Sequence, residues 1–283
     1  MNNPKPSETA VMFWAGQNPA QTIAELTTLG IHSGQLGIPG DLDLTCAPAW
    51  RDALTAAEFR IFTVFAAYTG ESYADIPTVQ RTVGFVPPST RADRERRTLA
   101  VSDFAAAIGI PGQQPPGIAT HIGFVPQPPD HWPVVETVRR ICDHAATHHQ
   151  TFALETGQES APALLDFLND VDRPNLGVNF DPANMILYGS GDPIEALEIL
   201  SGRILSVHCK DGDVPDPTAP ASLGTERALG AGSVGIPRFL AKLRQIGYTG
   251  PLSIEREADD PIRRMQDIES AIALLTRLKR EVW

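Results

Sequence analysis

The chain has only three cysteines in 283 residues, Cys46, Cys142 and Cys209. An odd number so widely spaced builds no disulfide framework and points to a reducing compartment. Uninterrupted apolar runs of the roughly 18 to 20 residues that a membrane span needs are missing. The opening segment, Met1-Asn-Asn-Pro-Lys-Pro-Ser-Glu-Thr9, is polar and has none of the apolar stretch of a signal peptide. A cytoplasmic protein with no membrane partner is expected, with residues 1–9 as a flexible tail. Basic charge is also short. Lys and Arg number 23 against 34 Asp and Glu, and the formal charge of −11 has the wrong sign for a nucleic-acid partner. No Gly-rich phosphate loop of the P-loop kind occurs, although backbone amides of the last βα loops can bind phosphate without a sequence signature.

What is present is a globular composition, 42% hydrophobic, with no internal linker, so residues 10–283 are read as one domain. Eight short apolar runs read as strands: Ala10–Trp14, Ile31–Gln35, Arg60–Ala66, Ile118–Ile122, Thr151–Glu155, Leu176–Asp181, Ile204–His208 and Pro251–Glu255. They are continuous rather than alternating, as in parallel strands covered on both faces. Helical patterns lie between them. Trp132, Val135, Val138, Ile141 and Ala145 form one stripe. Phe239, Leu240, Leu243 and Ile246 form another, opened near Pro237 and stopped by Gly247. A last helix repeats Ile262, Met265, Ile268, Ile272, Leu275 and Leu278. Eight strand–helix units predict an α/β fold, a single (β/α)8 TIM barrel.

Two connections exceed plain turns: Tyr68–Thr90 after the third strand and Lys210–Val234 after the seventh. Both leave the C-terminal end of the strands, where long loops serve as substrate walls or lids. The four arginines between Arg91 and Arg97, interleaved with Asp93 and Glu95, read as a solvated helix face with internal ion pairs. His148 and His149 read as a surface pair.

The last four strands carry the chemistry. They end in Glu155, Asp181, His208 and Glu255, three carboxylates and one imidazole at the same end of a parallel sheet. The rival explanation, helix N-caps in βα loops, accounts for Asp181 but not for glutamates and a histidine at equivalent points. So oxygen-rich a set suits one divalent metal: Mn²⁺ first, then Mg²⁺ or Co²⁺, with Zn²⁺ also admissible. Four protein ligands leave positions open for a substrate carbonyl and its neighbouring hydroxyl. The cation then polarises the carbonyl and stabilises an enediolate. Glu155 and Glu255, from strands five and eight, face each other across the barrel mouth and suit an acid/base pair flanking the substrate.

The segments Ala153-Leu-Glu155-Thr-Gly157, Val178-Asn-Phe-Asp181-Pro-Ala-Asn184, Val207-His208-Cys-Lys210-Asp211 and Ser253-Ile-Glu255-Arg-Glu257 resemble the xylose-isomerase-like TIM-barrel superfamily. Leu223-Gly-Thr-Glu226 and Gly247-Tyr-Thr-Gly-Pro-Leu252 extend the likeness over nearly the whole chain. It is nearest to the sugar phosphate isomerase/epimerase branch, with ketose 3-epimerases and inosose-processing enzymes. The resemblance implies a mononuclear metal on Glu155, Asp181, His208 and Glu255, with both glutamates also catalytic. It implies a small carbohydrate substrate and admits a homo-oligomer. One departure stands out: ketose 3-epimerases have a His three residues after the Asp ligand, where this chain has Asn184. An amide still hydrogen-bonds a hydroxyl but does not titrate near neutrality.

Further substrate-binding candidates are Lys210, two residues beyond His208 on the same side of the chain, and His121 and Gln35 at the ends of strands four and two. Trp14 is a candidate wall for a sugar ring and Glu159 a candidate hydroxyl acceptor; core packing and a helix-start carboxylate are the plain alternatives. Glu257 shares the parity of Glu255, but Glu255 directly ends the apolar run and is taken as the ligand. The expected function is a metal-dependent isomerase or epimerase of a keto sugar, cyclitol ketone or keto-glycoside. A lyase, dehydratase or decarboxylase using the same enediolate and a non-catalytic sugar-binding relative are the alternatives. A nuclease of the same superfamily needs a trinuclear zinc site and a basic groove, which 7 His and a charge of −11 oppose.

Overall fold

Strands β1 (Thr9–Trp14), β2 (Ser33–Ile38), β3 (Arg60–Ala66), β4 (Gly117–Thr120), β5 (Phe152–Glu155), β6 (Leu176–Phe180) and β7 (Ile204–Cys209) follow one another around a parallel barrel. In the computed structural model, which describes residues 7–219 and 221–283, β8 (Asp211–Asp213) and β9 (Thr225–Arg227) form a separate antiparallel hairpin in the connection after β7. The barrel closes through β10 (Leu252–Ile254), which pairs with β7 on one side and β1 on the other. The outer layer comprises α1 (Pro19–Thr28), α2 (Ala47–Ala56), α3 (Ile76–Thr82), α4 (Pro88–Ile108), α5 (Trp132–Thr147), α6 (Ala161–Val171), α7 (Pro182–Tyr188), α8 (Pro193–Ile199), α9 (Ile236–Gln245) and α10 (Pro261–Val282). This is the TIM barrel that the eightfold pattern predicts.

The continuous apolar runs have a simple cause. One parity of each strand packs under the helices, as where Phe180 of β6 stacks on Phe239 of α9 at 6.2 Å. The other parity fills the barrel. Inside, Met12, Phe65, Ala119 and Ala153 make a small apolar floor, distinct from the larger core under the helices. Truncating a side chain such as Phe239, fully buried between layers, costs about 3–5 kcal/mol.

Several boundaries differ from the sequence reading. The second strand begins at Ser33 and runs to Ile38, so Gln35 lies inside it rather than at its end. Its glycines break the apolar run because neighbouring β1 uses their space. A Cβ on Gly34 would lie 2.5 Å from Val11 O, and one on Gly37 would lie 2.5 Å from the Trp14 ring. Of the proposed N-terminal tail, residues 1–6 lie outside the described residues. Ser7 is buried, the Glu8 carbonyl accepts the Leu252 N–H at 2.7 Å, and Thr9 opens β1. The last helix buries Ile268, Leu275 and Leu278, but Ile262 is 71% exposed, because it sits at the helix start beyond the edge of the barrel.

The arginine-rich stretch is not a solvated face. Only Arg96 pairs locally, with Asp93. Arg91 donates to the Phe85 and Val86 carbonyls, and Arg97 to those of Pro39 and Leu42. Arg94 is buried and donates to the Gly84 carbonyl. These guanidinium groups satisfy carbonyls that the loops after β2 and β3 cannot pair within regular structure. The two long connections carry α3 and the β8–β9 hairpin, and they meet where Ile76 N–H donates to the Ala221 carbonyl at 3.0 Å.

Candidate metal centre

Glu155 is the last residue of β5, and Asp181 follows β6 directly. His208 is the penultimate residue of β7, and Glu255 follows β10. Equal parity and neighbouring registers, such as Ser253 beside His208, bring the four side chains together. They are buried, and one ligand atom from each lies within 4.8 Å of the other three. His208 Nδ1 stands 2.9 Å from Glu155 Oε1, 2.9 Å from Glu255 Oε2 and 3.4 Å from Asp181 Oδ2.

The other imidazole nitrogen fixes the ring. His208 Nε2 lies 2.5 Å from Gln35 Oε1 and 3.2 Å from Asn179 Nδ2, and a proton on Nε2 satisfies the shorter contact, whose partner only accepts. Gln35 in turn donates to Asn179 Oδ1 at 2.9 Å, as does Ser206 at 2.5 Å. This polar layer leaves the Nδ1 lone pair for a cation, in the manner of outer groups that orient a metal-bound histidine. Gln35 is thus corrected from pocket lining to support: it is fully buried beneath His208 and lines no part of the cavity.

The donor set fits a divalent cation. Three carboxylates converge in a buried space, which is costly without compensating positive charge. Glu255 Oε2 is buried and makes no hydrogen bond despite its closeness to Nδ1. Burial disfavours charge on His208, yet Glu255 and Glu155 outweigh it and push the imidazole well above its usual range. Burial likewise opposes ionisation of Glu155, but His121 and His208 hold it below the usual carboxylate range. Asp181 combines both readings offered for it. Its Oδ1 caps α7 by accepting the Asn184 N–H at 2.9 Å, while Oδ2 faces the cluster.

Above the cluster opens a cavity of about 240 Å³. His121, one residue past β4, places Nε2 at 3.0 Å from Glu155 Oε2. Burial works against its charge, but Glu155 raises its pKa to about 9. Lys210 Nζ lies 3.2 Å from Glu255 Oε2, 3.9 Å from Asp181 and 3.7 Å from Glu257. Asn184 Nδ2 donates to Glu155 Oε1 at 3.3 Å. These three and Trp14, 42% exposed, line the cavity. Glu159 does not. Its Oε1 instead accepts the Val125 N–H at 2.8 Å and ties down the loop after β4, and burial raises its pKa to about 7.

Glu71, Tyr73, Glu226 and Glu257 also line the cavity. Sequence reasoning gave none of them a role in the site. Glu71 and Tyr73 sit in the irregular start of a long loop, and Glu226 arrives on the β8–β9 hairpin, whose short strands carry no apolar run. The available signals were the Leu223-Gly-Thr-Glu226 likeness and the parity that Glu257 shares with Glu255. Elsewhere, His148 pairs not with His149 but with His144. Both donate from Nε2 to Asp103 Oδ1 at 2.8 Å, joining α5 to α4 at the surface.

The profile of xylose isomerase-like TIM barrels matches residues 24–278. The chain belongs to the xylose isomerase-like TIM-barrel family. Within that family it is similar to a xylose isomerase domain protein from Planctomyces limnophilus. Identity is 43%, 98% of this chain and 99% of that one superpose, and the TM-score is 0.90. It shares its fold with the 3-keto-D-glucoside 4-epimerase YcjR of E. coli, at 15% identity, 96% and 99% coverage and a TM-score of 0.69. With the rhizopine catabolism protein MocC of Rhizobium meliloti, identity is 33% over 122 residues, 40% of this chain and 36% of that protein. The chain spans about a third of the length of the curated relatives it matches, 29% to 36%. Among the described residues no helix is long and apolar enough to cross a membrane.

Proposed function

We propose that this chain is a divalent-metal-dependent isomerase or epimerase of a keto sugar, cyclitol ketone or keto-glycoside. The observation that carries the reading is the convergence of Glu155 and Glu255 on one point beside Asp181 and His208, at the floor of an open cavity. The two glutamates come from β5 and β10, with β6 and β7 between them, and so reach the centre from different sides.

The chemistry a bound cation supplies, Mn²⁺ foremost with Mg²⁺, Co²⁺ or Zn²⁺ as alternatives, is polarisation of a chelated carbonyl and stabilisation of the charge growing on its oxygen. One glutamate takes the proton from the carbon next to the carbonyl, and the electron pair moves onto the carbonyl oxygen. The other, starting protonated, gives its proton to the opposite face of that carbon, inverting it, or to the former carbonyl carbon while the hydroxyl proton passes to the old carbonyl oxygen, which moves the carbonyl. His121 holds Glu155 Oε2 and orients it. Lys210 presents an ammonium beside Glu255, positioned to bind a substrate oxygen. Asn184 and Trp14 complete the wall against which hydroxyls and a ring face lie. The family and the similarity to a keto-glucoside epimerase support the same reaction class.

Two measurements test this. Elemental analysis of tag-free protein, purified without chelator and again after metal soaking, should find about one Mn, Mg, Co or Zn per chain. Keto sugars incubated with the loaded protein in D₂O should gain deuterium next to the carbonyl at unchanged skeleton. Products lighter by water or a carbon fragment move the assignment to a lyase acting through the same deprotonation. No exchange with any keto-carbohydrate leaves a sugar-binding protein.

A further inference from the structure

Away from the barrel mouth, a second group of ligand-type side chains converges where α4 packs on α5. His144 lies in the last turn of α5 and His148 caps its end, so both imidazoles leave the same face of the helix. Both turn toward Asp103 of α4. Nε2 of each ring stands 2.8 Å from the same carboxylate oxygen, Oδ1. The rings meet edge to face, with centroids 5.4 Å apart. One ligand atom from each of the three residues lies within 4.8 Å of the other two. An ion from solvent can reach them, since the Asp103 side chain is 59% exposed and the histidines 31% and 32%.

The backbone beneath this group is fixed. Ser102 Oγ donates to Gln150 Oε1 at 2.5 Å, and Gln150 Nε2 donates to the Ser102 carbonyl at 3.1 Å, both buried. These bonds tie the residue before Asp103 to the segment just past His148. Two histidines one turn apart on one helix face have the spacing by which helices hold zinc. A neutral imidazole carries its proton on either nitrogen, and with that proton on Nδ1 both Nε2 lone pairs face Asp103. Metal bonds of about 2.0–2.2 Å set tetrahedral donors about 3.3 Å apart, so the 2.8 Å contacts need open by only about half an ångström. Exposed side chains reach that by a small rotation. The free carbonyls at the end of α5 add partial negative charge, which also favours a cation.

The donor set differs from that at the barrel mouth. Two imidazoles and one carboxylate favour Zn²⁺, Ni²⁺ or Cu²⁺, whereas three carboxylates and one imidazole suit harder ions. The place differs too. β5 begins at Phe152, shortly after His148, and ends at Glu155, so the group sits toward the N-terminal end of the strands. That end of a (β/α)8 barrel serves stability rather than catalysis.

We propose that Asp103, His144 and His148 form a second metal site, which takes one Zn²⁺ or a similar imidazole-seeking cation and clamps α4 to α5. Water completes the coordination that three protein ligands leave open. The test strips tag-free protein with a chelator and titrates it with zinc at micromolar concentrations. Calorimetry and elemental analysis count the ions, and thermal melts read the clamp. Wild type should hold one zinc beyond the ion expected at the barrel mouth, and one more than the His144→Gln/His148→Gln double variant. Zinc should also raise its melting temperature by several degrees more than it raises the variant's. Asp103→Asn keeps the shape of the side chain and should weaken the extra zinc at least about tenfold. Because the readout is a difference between proteins, it stands whether or not the barrel mouth takes an ion. Equal zinc counts in wild type and double variant overturn the proposal, as does an extra zinc that adds nothing to the melting temperature. Should the double variant fold poorly, Asp103→Asn decides: zinc bound at wild-type affinity reduces the group to an ion pair between helices.

Discussion

Gln35 Oε1 accepts the Nε2–H of His208 at 2.5 Å, across the interior of the barrel from β2 to β7. The amide thereby selects the tautomer whose Nδ1 faces Glu155, Asp181 and Glu255. Replacing Gln35 by Leu keeps similar bulk but frees the ring. Metal affinity should fall about 10–100-fold, with the circular dichroism spectrum unchanged. An unaltered dissociation constant in a metal titration would show that the ligand set does not need this support.

Glu155→Gln and Glu255→Gln each remove a proton carrier while keeping an oxygen donor. At saturating metal, deuterium exchange into a reactive keto sugar should fall about 10²–10⁴-fold in each variant. Either variant exchanging at the wild-type rate would remove that residue from the acid/base pair.

His121 touches Glu155 on the oxygen that does not face His208. His121→Asn should therefore lower kcat by about 100-fold, the scale of a lost acid–base partner, while metal affinity changes little. A parallel loss of metal affinity would make His121 a structural prop for the ligand instead. Stopped-flow exchange rates beside a metal titration separate the two.

Glu159 offers a check that needs no substrate. Burial raises its folded-state pKa to about 7, above the ordinary value of 4.5. The folded protein therefore holds this proton more tightly than the unfolded chain. That contribution is fully present below about pH 4.5 and is lost as pH rises to about 7. Glu159→Gln still offers Oε1 to the Val125 N–H but never ionises. Its stability relative to wild type should improve by on the order of 1 kcal/mol between pH 5 and pH 8, the scale of a partly screened pKa shift. Thermal melts at both pH values decide it; a constant difference would assign the effect to packing.

The cluster of Glu155, Asp181, His208 and Glu255 was legible because each ends a short apolar run at the same edge of the sheet, a coincidence that capping preferences explain only for Asp181. The third strand was readable to its ends for the same reason, Arg60–Ala66 in both accounts. The second strand was not. Ser33, Gly34 and Gly37 carry little hydrophobic signal, and the two glycines have no side chain because Phe13 and Trp14 of β1 fill the space beside them. Misplacing that strand by a few residues turned Gln35 from a support of His208 into a supposed pocket residue. The part of the acidic wall made by Glu71 and Glu226 was hidden for another reason. Loops and hairpins bring it to the site through long-range packing, which no local periodicity records.

Asp181 divides one carboxylate between two duties, with Oδ1 on the Asn184 amide at the start of α7 and Oδ2 toward the metal cluster. Seven residues of helix hang on that cap, including Asn184 and Tyr188, which line the cavity. Free energy shared through one group is reciprocal: if a cation binds the cluster as proposed, whatever steadies α7 would tighten the grip on it, and the cation would slow the opening of α7. The Asn184 amide proton is therefore a built-in reporter, exchanging with solvent more slowly in the loaded protein than in the stripped one.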